Sequence, residues 1–245
     1  MAASLDDFGS VVTRTGNYQR ARALLEEALT LYRRLGHREG EGSALYGLGV
    51  VARDLLDYAC AREYLSRTLT VAQGLKDVLG VALAATALGT VAALSGDTRE
   101  GGERISQGIS LFRELGDARG LFVALYHLGA TVERRTDPTA AVGTLREGML
   151  LAHEGGDPRY TLYSLDALGL VAADTGQLER AARLLGKGEA YREEIGYPWP
   201  PYIREDRERT LEGVRAAFSP DVLDNLWREG ASMPLEDAIR YASQA

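Results

Sequence analysis

An all-α fold, a solenoid of antiparallel helix pairs closed by an irregular C-terminal helical cap, is what this 245-residue sequence predicts. Three observations carry the prediction. Leu48-Gly49, Leu88-Gly89, Leu128-Gly129 and Leu168-Gly169 fall on one 40-residue grid, which Phe8-Gly9 extends backwards. Alanine recurs at 21, 61, 141 and 181, with Gly101 in the remaining slot, and leucine recurs at 35, 75 and 115. Between these registers apolar residues keep helical spacing, interrupted by turn residues at fixed places. Registers that agree at such a spacing mean one supersecondary unit stacked on itself.

Residues 40–79 serve as the type unit. Ala44, Leu45, Leu48, Val51, Ala52 and Leu55 make the apolar side of a first helix. Asp57-Tyr58 stops it, where the other units read Gly16-Asn17, Gly96-Asp97, Asp137-Pro138 and Gly176-Gln177. A second helix follows with Ala61, Leu65, Leu69, Val71 and Ala72 and ends near Gly74-Leu75-Lys76-Asp77, matched by Leu35-Gly36, Leu115-Gly116-Asp117 and Gly155-Gly156-Asp157. The glycine inside the first helix weakens it by about 1 kcal/mol, so it needs a packing reason. A small residue there lets the second helix approach, with the repeated alanine as its counterpart.

About five such units span 1–195, and 196–245 are expected to form a cap packed on the last of them. Gly196-Tyr197-Pro198-Trp199-Pro200-Pro201-Tyr202 reads as a stiff aromatic turn. Residues 205–218 read as a charge-rich helix, and Ser219-Pro220-Asp221 opens a short helix to about Arg228. Another begins at Pro234 and carries Ala238, Ile239 and Ala242. Trp199, Tyr202 and Trp227 are the candidate cap aromatics, expected to plug the open end of the array. At the other end the first helix starts almost at Met1 with little polarity, leaving Leu5, Phe8 and Val12 exposed, and pairing of two chains through that end is expected.

The net charge of −7, with acid and base interleaved, argues against direct nucleic-acid binding. No apolar run reaches membrane-spanning length and no signal peptide opens the chain, so a cytoplasmic protein with no membrane partner is expected. The single cysteine, Cys60, excludes an intramolecular disulfide and a thiolate zinc site, and its place before Ala61 suggests a half-buried, inert thiol. His37, His127 and His153 lie far apart with no second ligand at i+4. Phosphate-loop and nucleophile-elbow motifs are absent, and Gly47-x-Gly49-x-x-Ala52 lies inside a helix with no strand before it. No catalytic residue, metal or cofactor is expected.

The pattern Leu45-x-x-Leu48-Gly49-x-x-Ala52 followed by Ala61-x-x-x-Leu65 resembles the tetratricopeptide repeat, whose usual unit is 34 residues. The 40-residue version is similar to the MalT-type repeats of bacterial signal-transduction regulators. Leu45, Ala85, Leu125 and Leu165 stand where that repeat usually has an aromatic. Ala182-x-Leu184-Leu185-Gly186, Trp227-x-x-Gly230 and Leu235-Glu236-Asp237-Ala238-Ile239 look like the end of the repeat region in regulators that join an ATPase, and sometimes a LuxR-type DNA-binding domain, to such repeats.

The resemblance implies a right-handed superhelix whose first helices line a concave face. Counting from the repeat glycine, it assigns Tyr46, Arg53 and Asp54, then Thr86 and Thr90, then Tyr126, Glu133 and Arg134, then Tyr163, Asp166 and Asp174 to that face. Tyrosines there could offer amphipathic contact area, and Arg53 and Arg134 could hold carboxylates. The implied function is a non-catalytic module that binds a protein or peptide in the groove, the sensor part of a bacterial transcriptional regulator. The alternatives are an inducer-binding domain for a small metabolite and, more remotely, an enzyme with a site assembled across repeats.

Overall fold

The structure is a computed structural model and describes residues 1–244. Among these it holds 13 helices and no strand. The described residues divide into two compact units, one of Met1–Asp117 with Pro198–Tyr202, the other of Ala118–Tyr197 with those from Ile203 onward. The first unit contains three helix pairs: α1 (Ala2–Arg14) with α2 (Tyr18–Leu35), α3 (Arg38–Asp54) with α4 (Tyr58–Leu75), and α5 (Val78–Leu94) with α6 (Thr98–Leu115). In the second unit α7 (residues 118–136) pairs with α8 (Pro138–Glu154), and α9 (Pro158–Asp174) with α10 (Leu178–Ile195). Three further helices follow: α11 (Pro201–Ala216), α12 (Pro220–Ser232) and α13 (Leu235–Ser243).

The turns explain why the pairs are so tight. At 17, 57 and 97 one residue closes one helix and opens the next. The Asp57 N–H donates to Ala52 O at 2.9 Å, closing the end of α3. The Asp57 carboxylate then accepts from the Cys60 N–H at 3.1 Å and caps α4. The residue between them takes a left-handed backbone, at Gly16, Leu56, Gly96 and Gly176. In the fourth pair that slot is Thr136, a β-branched residue for which positive φ is costly. The helix instead runs on to Thr136, and a π-helical turn over Leu128–Glu133 takes up the extra residues.

The repeat glycines face their partner helix closely; in the third pair Gly89 meets the expected slot, an added Cβ lying 2.7 Å from the Gly101 backbone oxygen, but elsewhere the main neighbour differs from the one expected. A Cβ at Gly49 would meet Leu65 Cγ at 2.6 Å, and one at Gly129 would meet Leu145 Cγ at 2.6 Å. In these pairs the leucine four residues after the repeated alanine is therefore the counterpart. The alanine itself stands further off, its backbone oxygen at 3.5 Å in the case of Ala141. Gly129→Leu is expected to overpack this contact and lower stability by about 1–3 kcal/mol in denaturant unfolding, and an unmoved midpoint would sink the packing model.

Two surface expectations are corrected. Cys60 is exposed, because position 60 points away from the partner helix while Ala61 beside it is fully buried. Val12 is buried against the first core cluster, whereas Phe8 on α1 remains exposed and Leu5 is half-buried. The recurring leucines at 35, 75 and 115 close their helices with exposed side chains.

Asp6 on α1 is buried, and its Oδ1 has no hydrogen-bond partner. Burial pushes its carboxyl above the ordinary 3.8, against the Ser43 hydroxyl, and Asp7 adds to the rise. The folded chain thus holds this proton more tightly than the unfolded chain. The carboxylate weakens the fold at neutral pH, and the loss is recovered as pH falls through the raised value and below 3.8. Asp6→Asn is expected to stabilise at pH 7 by on the order of 1 kcal/mol and to have no effect near the acid end of the folded range. Thermal melts at several pH values read this directly, and a gain independent of pH counts against it.

Candidate interaction face

In the first unit the inner positions of α3 and α5 are largely filled by the chain itself. Arg53 and Asp54 are both buried and pair with one another, Nη2 to Oδ1 at 2.7 Å. The Arg53 guanidinium lies 4.9 Å from the centroid of the Tyr202 ring, a cation–π contact within the same unit. Trp199 and Tyr202 are buried here. Pro198 lies against Gly16, where a Cβ would meet its Cγ at 3.1 Å. Tyr46 is half-buried beside Tyr58 and Leu88. Thr86 and Thr90 are buried, and the Thr90 hydroxyl donates to the Thr86 backbone oxygen at 2.8 Å, within its own helix.

In the second unit the inner positions form two clusters. The first is aromatic. Tyr126 and Tyr163 are buried with ring centroids 5.7 Å apart, and Tyr160 lies 5.6 Å from Tyr126 and 5.7 Å from Tyr163. His127 stands edge-on to Tyr126 at 5.1 Å, and the Arg159 guanidinium stacks on Tyr160 at 4.9 Å. Tyr126 and Tyr163 were legible from their register. His127, Tyr160 and Arg159 were not, although Tyr160 stands three residues before Tyr163 on the same helix.

The second cluster is ionic and is built on α11. Arg134, at the end of the π-helical turn, is buried and pairs with Asp174 and with Asp206 of α11. Its Nη2 also donates to the Thr210 hydroxyl at 2.9 Å. Burial pushes the Arg134 guanidinium down, and Asp174 and Asp206 more than restore it. Asp166, 1% exposed, accepts from Arg207 Nε at 2.9 Å. Burial pushes this carboxyl up, and Arg207 pulls against it. Arg207 Nη2 reaches Glu189 of α10 at 3.2 Å, and Glu189 in turn holds Arg192 at 2.7 Å. Gly188 makes the room, since a Cβ there would lie 2.9 Å from Asp166 Oδ1.

Glu133 is half-buried within this turn. Burial pushes its carboxyl up, against a hydrogen bond from Thr144, with Asp137 adding to the rise. Trp227 is half-buried on α12, beside the apolar cluster of Leu170, Leu185 and Leu226. Asp206, Arg207 and Thr210 had no repeat register to reveal them, because they lie beyond the last repeat; Glu189 stands where the other second helices carry Leu29, Leu69, Ile109 and Met149.

Among the described residues no group of three or more His, Cys, Asp or Glu is placed to hold a metal ion, and no helix is long and apolar enough to cross a membrane. The tetratricopeptide repeat family model matches residues 1–74. No curated protein matches the sequence. Among solved structures, the apo form of RapI matches over 100% of this chain and 85% of its own length, with a TM-score of 0.59 at 12% identity. A likeness at that identity speaks for the fold alone. The family match covers the first two helix pairs, and beyond them the 40-residue recurrence of the helix pair and the fold of the whole chain extend a tetratricopeptide-like helical-repeat solenoid.

Proposed function

We propose that this chain is a non-catalytic interaction module that binds a protein or peptide segment on the inner face of its repeats, and that it serves as the sensor part of a cytoplasmic bacterial transcriptional regulator. The observation that supports the reading is the ionic cluster of the second unit. There Arg134 and Asp166, both on first helices, hold a helical segment through directed, charge-assisted bonds. A face that grips its own chain in this way has the chemistry to grip another. The array resembles repeats that accompany ATPase and DNA-binding segments, which supports the regulator context. A neighbouring or continuous coding sequence for such a segment is the direct check.

Site-specific photocrosslinking in the producing cell tests the binding face. A reactive residue at Tyr46 is expected to trap a discrete partner, and one at the exposed Glu63 of α4 is not. Equal capture from both positions would place binding elsewhere. A second reading, an inducer site for a small metabolite, is favoured by the Tyr126, Tyr160 and Tyr163 cluster beside His127. It predicts a thermal shift worth about 2.7 kcal/mol at a hundredfold excess over the dissociation constant. A metabolite panel that leaves the melting curve unmoved counts against it.

A further inference from the structure

We infer that the inner face of α7, α9 and α10 is a receptor for an amphipathic helix, that α11 is its resident ligand in cis, and that a partner helix of the same chemistry replaces α11 there. The inference deepens the interaction reading above and rests on it.

The argument begins with the docking stripe. Ile203, Arg207, Leu211 and Val214 are the buried positions of α11 within the second unit, at spacings that put them on one helix face. The remaining positions are exposed or half-buried and mostly charged. The centre of the stripe is therefore an arginine, not an aliphatic side chain. A buried ion pair roughly breaks even against an apolar pair of similar volume, so its chief effect is to select register and partner. The aliphatic contribution is small, with Leu211 and Val214 joining Leu170, Ala181 and Leu185 in one cluster.

The neighbouring α12 is seated differently. A Cβ on Gly186 would lie 3.1 Å from the Trp227 Cα, and one on Gly230 would meet the Arg183 backbone, so α10 and α12 touch main chain to main chain. That contact is made by the fold itself. The α11 contact is made by side chains and can be made again by another helix. Pro198 and Pro200 precede α11, Pro201 opens it and Ser219-Pro220 follows it, so the helix is carried between stiff connectors.

The vacated face defines its ligand. Asp166 and Glu189 would need a guanidinium, and Arg134 would need a carboxylate one residue earlier and a hydroxyl three residues later. Aliphatic residues would fall four before the arginine and four and seven after it, as Ile203, Leu211 and Val214 do. The partner is thus an amphipathic helix with an Asp-Arg pair at the centre of its apolar face, and a second α11 satisfies the same pattern.

The test uses the intact chain and a labelled synthetic peptide of residues 201–218. Hydrogen exchange under native conditions should show amides 206–214 opening while those of α9 and α10 stay protected. Exchange of α11 only with the slowest core amides overturns the proposal. The peptide should bind at least tenfold more tightly to a chain carrying Arg207→Glu, whose own helix is repelled by Asp166 and Glu189, than to the unaltered chain. The same peptide carrying Arg207→Glu should not bind. Should that chain fail to fold, Leu211→Ala weakens the cis helix without adding charge and reads the same competition. Absence of peptide binding to a folded variant overturns the proposal. An outside partner unaffected by either variant would sink this competition alone. Peptide exchange with no outside partner would sink the regulator reading and leave this one standing.

Discussion

Gly230→Ala is expected to lower stability by about 3 kcal/mol, at the upper end of what overpacking produces, and to lower the melting temperature by about 6–12 °C. The reason is that the added methyl has nowhere to go. A Cβ on Gly230 would meet the Arg183 backbone oxygen and stand 2.6 Å from its carbonyl carbon and 2.8 Å from its Cα. A side chain can rotate away from such a contact; a helix backbone cannot. The same seam holds Gly186 against the backbone of Trp227, so α12 approaches α10 at two glycines about one turn apart along the contact. One methyl therefore tilts the whole helix, and Leu226 leaves the cluster it shares with Leu211 and Val214. Calorimetry of the variant reads the loss. A melting temperature within a degree of the unaltered protein would mean that α12 is not seated as described.

This seam shows what was and was not legible in the sequence. The helix pairs could be read because they repeat: the glycine of each first helix, the alanine (once glycine) of each second and the turn residues all return at one spacing. Trp227-x-x-Gly230 was visible as a motif, but not as the main-chain contact it makes, since nothing in one copy of a motif says what approaches it. The inner face was legible in register and not in occupancy. Arg134 and Asp166 were assigned to it by counting from the repeat glycine, which gives direction along a helix, and both meet side chains of α11. The groups that fill the face come from α11, 41 residues from Asp166 and up to 76 from Arg134. Local patterning carries no information across such a separation.

α11 itself reads as a solvated helix because a charged residue interrupts its apolar stripe. Thr86 and Thr90, counted onto the same face, are buried for a different reason. Helix α5 has no charged residue from Val78 to Leu94 and is buried nearly all round. That uncharged run was the available signal. The π-helical turn had one too, the threonine standing where the turns after the other first helices carry glycine or leucine.

Asp166→Ala is expected to cost about 3 kcal/mol, the lower end for breaking a buried ion pair, because Arg207 keeps Glu189 at 3.2 Å. The double replacement Asp166→Leu with Arg207→Met is expected to lie within about 1 kcal/mol of the unaltered protein, since it removes both buried charges and keeps the volume. A double-mutant cycle in urea measures the difference, and additive losses would show that the pair is not coupled. How the single loss is distributed depends on α11. If that helix were welded to the repeats, the whole 3 kcal/mol would appear as a shift of the global transition. With α11 docked reversibly, the global shift is capped at the free energy of docking, because beyond that point the helix is already open. The remainder then appears in α11 alone, whose amides 206–214 should exchange up to about a hundredfold faster, a factor of ten for each 1.4 kcal/mol, while α9 and α10 keep their protection. The same variant thus separates a helix that belongs to the core from one that occupies a binding face.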